Sequence, residues 1–118
     1  MGLISNRPVP DWKYKGFMTI SGKVTLLHIN DINYTYGPKD DNLDADVIVT
    51  LDSVPDMAFG FKLRQNDHKW VAQGMLQLLM EAYRNNWVVN ISYHEYWYKN
   101  DPNKKRKNNN IERIWVKK

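Results

Sequence analysis

In MAFGFKL (57–63) the apolar positions alternate: Met57, Phe59, Phe61 and Leu63 fall on one face, and Ala58, Gly60 and Lys62 on the other. A period of two marks a strand with one face turned to a core. Within ten residues the period lengthens. From about His68 to Arg84, the residues Gln73, Gln77, Glu81 and Arg84 form a polar stripe at helical spacing, and Val71, Ala72, Met75, Leu76, Leu78, Leu79, Ala82 and Tyr83 cover the rest. This predicts one amphipathic helix, opened by Asn66 or Asp67 as N-cap and closed by Asn85 and Asn86, which tolerate the left-handed conformation. Its apolar arc is wide for a helix on a small monomer. Gly74, at roughly 1 kcal/mol against Ala, points to close backbone packing there.

The shorter period returns in WVVNISYHEYW (87–97), with Trp87, Val89, Ile91 and Tyr93 on one side and Asn90, Ser92 and His94 on the other. IERIWV (111–116) is a closing strand. Upstream, residues 17–36 are rich in β-branched and aromatic types: FMTI, then Gly22, then KVTLLHINDINYTY. Val24 and Leu26 take one parity and Leu27 and Ile29 the other, which predicts a bend or bulge near His28 to Asp31. GPKDDNLDAD (37–46) reads as a polar loop, DVIVTLD as a short strand and SVPD as a turn. Residues 1–16, with Pro8, Pro10 and Gly16, read as an extended arm held by Trp12 and Tyr14.

The predicted order is β-β-β-β-α-β-β in a single domain, residues 1–118, with a basic hairpin loop at 99–110. Short strands with one inserted helix predict a small OB-like β-barrel, mainly β. The alternative is an α+β sheet with the helix packed on one face.

Charge changes this picture only locally. The net charge is +4, yet residues 99–118 alone carry eight basic and two acidic side chains, so the rest is slightly acidic. The protein has a basic corner. No cysteine is present, which excludes disulfides, thiolate nucleophiles and thiolate metal sites. No stretch reaches the roughly 20 apolar residues of a membrane span, so no membrane insertion is expected. MGLISNRPVPDW lacks the basic-then-apolar pattern of a signal peptide. Asn6 stands where myristoylation after Gly2 requires Ser or Thr.

Catalytic chemistry finds little footing. Asp40, Asn42, Asp44 and Asp46 alternate like calcium-loop ligands, but Ala45 and Leu51 occupy the positions that need Gly and Glu. His28, His68 and His94 have no metal-binding spacing. Ser21, Ser53 and Ser92 lack a nucleophile context, and Glu81, Glu95 and Glu112 do not form an evident acid–base pair. No enzyme activity, cofactor or metal is expected. Binding chemistry is better represented. Tyr34, Tyr36, Tyr96, Trp97 and Tyr98 fall near strand ends, where rings can stack on sugars or bases, and Asn33 and Ser92 supply polar contacts. Lys104, Lys105, Arg106 and Lys107 are the candidate anion contacts.

From Phe59 to Tyr96, FGFKLRQNDHKWVAQGMLQLLMEAYRNNWVVNISYHEY resembles the B subunits of pentameric bacterial toxins, in particular the subtilase-cytotoxin and pertussis-like group. The shared pattern is a strand, a Trp-led helix with a Leu-Leu…Ala segment, a polar turn and a β-branched strand. The resemblance implies an OB-fold that pairs strand edges into a five-membered ring. It also implies helices around a central pore, here presenting Gln73, Gln77, Glu81 and Arg84, and glycan binding on the outer faces. It implies secretion with a leader already removed; without it, the cysteine-free chain fits a cytoplasmic location. This chain departs from the family in lacking the usual disulfide. The competing expectations are a single-stranded nucleic-acid-binding OB module, drawn from Lys104–Lys107 beside aromatic strands, and a cytoplasmic or phage-type protein that captures a partner or small anion.

Overall fold

The computed structural model describes residues 12–31, 34–64 and 69–117. Among the described residues there are seven strands and one α-helix: β1 (Trp12–Ile29), β2 (Thr35–Tyr36), β3 (Leu43–Asp44), β4 (Val47–Leu51), β5 (Ala58–Phe61), α1 (Lys69–Asn85), β6 (Val88–Tyr98) and β7 (Asn108–Val116). Five strands close a barrel in the order β1-β4-β5-β7-β6, with β6 returning to β1. Every pairing is antiparallel except β5 with β7. This is an OB-like barrel with α1 between its third and fourth strands.

The expected order is corrected at the start of the chain. Gly22 does not end a strand, and β1 begins at Trp12, so residues 12–16 belong to the sheet. Residues 1–11 of the expected arm, the helix-capping residues Asn66 and Asp67, and His68 lie outside the described residues. The strand stops at Ile29, and the irregularities fall between Tyr14 and Gly16 and between Val24 and Leu26, not at His28 to Asp31. The physical reason is a change of partner. Residues 12–23 pair with β6, while residues 24–29 pair with β4. The second irregularity sits where the strand bends from one neighbour to the other, as barrel corners require.

Alternation fills the interior. Val47, Val49 and Leu51 from β4, Phe59 and Phe61 from β5, and Val89, Ile91 and Tyr93 from β6 are all buried. The Phe59 and Tyr93 rings stand 5.1 Å apart. α1 closes the barrel's open end with Ala72, Leu79 and Ala82. Gln73, Gln77 and Arg84 of its polar stripe are exposed, and Arg84 lies 3.9 Å from Glu81. Asn86 has φ 60°, the helix-ending conformation expected from sequence. Gly74 does not mark close packing, since nothing lies within 4 Å of the Cβ it lacks.

The outside of β4 and β5 is also buried, which simple alternation in 57–63 does not anticipate. β2 and β3 form a small hairpin, and Leu43, Ala45 and Tyr36 cover Ile48 and Ala58. Asp46 fastens this lid. Its carboxylate accepts the Leu63 N–H at 2.7 Å and the Arg64 guanidinium at 3.0 and 3.2 Å, and Arg64 also reaches Asp44 at 2.8 Å.

Candidate ligand-binding cleft

Two loops meet at one end of the barrel: the acidic connection from β1 to β4 and the basic connection from β6 to β7. Their charges pair. Lys104 lies 4.0 Å from Asp40, Lys105 3.8 Å from Glu95, Arg106 3.5 Å from Asp41 and Lys107 3.5 Å from Asp56. Asp41 is buried and accepts the backbone N–H groups of Lys107 at 2.8 Å and Asn108 at 3.2 Å. The basic run is thus balanced by carboxylates from the chain itself, and its positive potential is largely quenched.

The aromatic residues singled out from sequence separate into different roles. Tyr98 stacks on Trp12 with centroids 4.0 Å apart, and its hydroxyl donates to the Asp40 carboxylate at 3.2 Å. Trp97 donates its ring N–H to Glu95 at 3.0 Å. Tyr36 belongs to the hairpin and packs against the small cluster of Leu43, Ala45, Ile48 and Ala58. Tyr34 is exposed on the loop. Asn33 lies outside the described residues. Ser92, Tyr96 and Tyr98 share one parity of β6, the outer side that also carries His94, and of these Tyr98 is taken up by Trp12 and Asp40.

That face holds the arrangement closest to a binding site. Tyr14 on β1 lies 5.4 Å from the Tyr96 ring, and its hydroxyl is 2.9 Å from Nδ1 of His94. Phe17 is 5.1 Å from the His94 ring. Nε2 of His94 sits 3.4 Å from Glu112 on β7. Beside these rings His94, Tyr96, Arg106, Asn109 and Asn110 line a cleft of about 120 Å³. Ser92 is fully buried on the same strand, with no hydrogen-bond partner for its hydroxyl among the described residues. The sequence pointed to Tyr96, Ser92 and Arg106 but missed Tyr14, Phe17, His94, Asn109 and Asn110. The alternation placing Ser92, His94 and Tyr96 on one side of β6 was readable. The alignment of Tyr14 and Phe17 beside them was not, because it depends on pairing across about 80 residues.

Chemically, the cleft offers half-exposed rings next to amide and guanidinium groups. Such a surface can stack on an apolar ring face while hydrogen-bonding its polar rim. Comparison with protein-family models, characterised proteins and solved structures finds no match.

Two tyrosines carry a pH signature. Burial, then the neighbouring charge and hydrogen bond of Glu95, pushes Tyr93 up to about 12. Burial, then the Asp40 hydrogen bond, does the same for Tyr98. An unfolded tyrosine loses its proton near 10, so between pH 10 and 12 the unfolded chain binds fewer protons and stability falls as pH rises. Ultraviolet titration of phenolate is expected to show these two groups ionising together with alkaline unfolding. Replacing Tyr98 with Phe should remove one of them from the late phase.

Proposed function

We propose that this is a non-catalytic binding protein that takes glycans in the cleft between β6 and β7 and works as a homo-oligomer. The observation that carries the reading is the grouping of Tyr14, Phe17, His94 and Tyr96 beside Arg106, Asn109 and Asn110. Sugars present apolar C–H faces to rings and hydroxyls to amides, and both partners stand together here. The resemblance of residues 59–96 to toxin B subunits points the same way, including assembly through strand edges. Support for assembly comes from β7, which pairs with β5 at Asn108, Asn109 and Asn110 and, among the described residues, has no strand against the outer edge of residues 111–116. An unpaired edge of that length is normally covered.

The nucleic-acid alternative loses ground on two counts. The Lys104–Lys107 run is balanced by carboxylates, and the outer face of β4 and β5, a face on which OB barrels bind strands, lies beneath the hairpin. A glycan panel read by calorimetry is expected to give salt-insensitive binding that Tyr96→Ala weakens at least tenfold. Binding to single-stranded oligonucleotides that collapses steeply with salt, with no glycan bound, would refute the proposal.

A further inference from the structure

The free edge of β7 has an internal symmetry that says how two copies would meet. Across from β6, Ser92 pairs with Arg113 and Tyr93 pairs with Ile111, so Glu112 is an extra residue in the strand. A bulge of this kind turns two successive side chains toward one face. Burial follows that pattern: Ile111 is buried, Glu112 and Arg113 are exposed, and Ile114 is half-buried against the core. The order of faces along Ile-Glu-Arg-Ile is therefore in, out, out, in, which reads the same from either end. Laid antiparallel against a second copy, each Ile111 opposes the other copy's Ile114 on the inner face. Each Glu112 likewise opposes an Arg113 on the outer face. Without the bulge, these pairs would join opposite faces of the sheet, and the register would be impossible.

The other open edge is unsuited to self-pairing. β1 carries Lys13 and Lys15 along residues 12–20, and lysines along an edge discourage pairing. Space beside β7 is also present. A groove of about 360 Å³ runs between α1 and the strand, floored by Val71, Met75, Ile114 and Trp115. Trp70 and Val71 are strongly exposed at 72% and 60%, and Trp115 and Val116 are each 37% exposed.

We infer that β7 is an isologous interface, joining two copies antiparallel through Ile111–Val116 with Glu112 of each facing Arg113 of the other. This rests on the reading of the protein as a homo-oligomer, but it specifies a two-fold contact in place of a head-to-tail ring.

The test is a charge swap read by light scattering across a concentration series. The wild-type chain is expected at twice its 14.0 kDa mass. Glu112→Arg alone and Arg113→Glu alone each set two like-charged pairs across the axis and should raise the dissociation constant roughly tenfold or more. The double variant restores opposite charges and should recover the dimer. Amide exchange on the wild-type chain gives a second measurement that needs no variant: residues 111–116 should gain protection as concentration rises. A monomeric wild type, a five-fold mass unmoved by the single swaps, a double variant as weak as the singles, or β7 amides indifferent to concentration would each overturn it. Because Glu112 also touches His94 of the cleft at 3.4 Å, glycan affinity is measured on the wild-type chain at concentrations above and below its dissociation constant, which separates failure of this contact from failure of the binding site.

Discussion

Replacing Asp46 with alanine is expected to lower the unfolding free energy by about 1–3 kcal/mol, the range for leaving a buried hydrogen-bonding group without its partner. Asp46 is 2% exposed and serves two groups at once, the Leu63 N–H at 2.7 Å and the Arg64 guanidinium. Its removal leaves a part-buried donor without its acceptor and weakens the hold of Arg64 on the hairpin. Urea denaturation measures the loss. Asp46→Asn, which keeps the shape and one acceptor, should lose less, and pairing Asp46→Ala with Arg64→Met should lose less than the two single losses added. A loss below about 1 kcal/mol for Asp46→Ala would mean that water replaces the network readily. Acid acts on the same cluster. Burial raises the Asp44 carboxyl, but the Arg64 hydrogen bond and the charges of Lys62 and Arg64 outweigh it and hold the group below its ordinary 3.8. Its share of stability is present above that value and disappears as pH falls through the lower, folded one.

The second large effect is expected at Gly60. A Cβ there would stand 2.6 Å from the Val47 carbonyl oxygen, 2.7 Å from the Ala45 Cβ and 3.0 Å from Leu43. The first of these is backbone of the adjacent strand and has little freedom to yield. Gly60→Ala should therefore cost about 1–3 kcal/mol, as overpacking does, and the strain should be relieved by lifting the hairpin. Amide exchange should quicken at Leu43 and Asp44 while β1 and β6 keep their protection. A variant that melts with the wild type, with an unchanged hairpin, would show that the two layers are not in tight contact.

How far the sequence carried can be judged at such residues. Alternation at Met57, Phe59 and Phe61 and at Val89, Ile91 and Tyr93 located two barrel strands and their inward faces correctly, because alternation is a local property of the chain. The run Val47-Ile48-Val49 carried a further signal, an unbroken apolar stretch that marks burial on both faces, and the hairpin lid explains it. Gly22 misled. It reads as a break, but its missing side chain makes room for the turn after β4, where a Cβ would lie 2.6 Å from Ser53 and 2.9 Å from Asp52. Such a requirement comes from a segment about 30 residues away and leaves no trace in local composition. The basic run was legible as charge, but its neutralisation was not, because Asp41 comes from a loop 66 and 67 residues away from the Lys107 and Asn108 amides it accepts. The cleft suffered most, since its rings come from strands joined only by the closing of the barrel.

The strand order also bears on how the protein is made. β7 lies between β5 and β6, and it is the last strand of the barrel in the chain. Until residues 108–116 have left the ribosome, nothing joins those two neighbours, and Asp41 lacks the Lys107 and Asn108 amides it binds 66 and 67 residues away. A nascent chain carrying four of the five barrel strands therefore holds an apolar interior open along a seam. Such a topology, dominated by distant contacts, folds slowly and leaves sticky surface exposed meanwhile. Residues 108–116 must emerge before this barrel can shut.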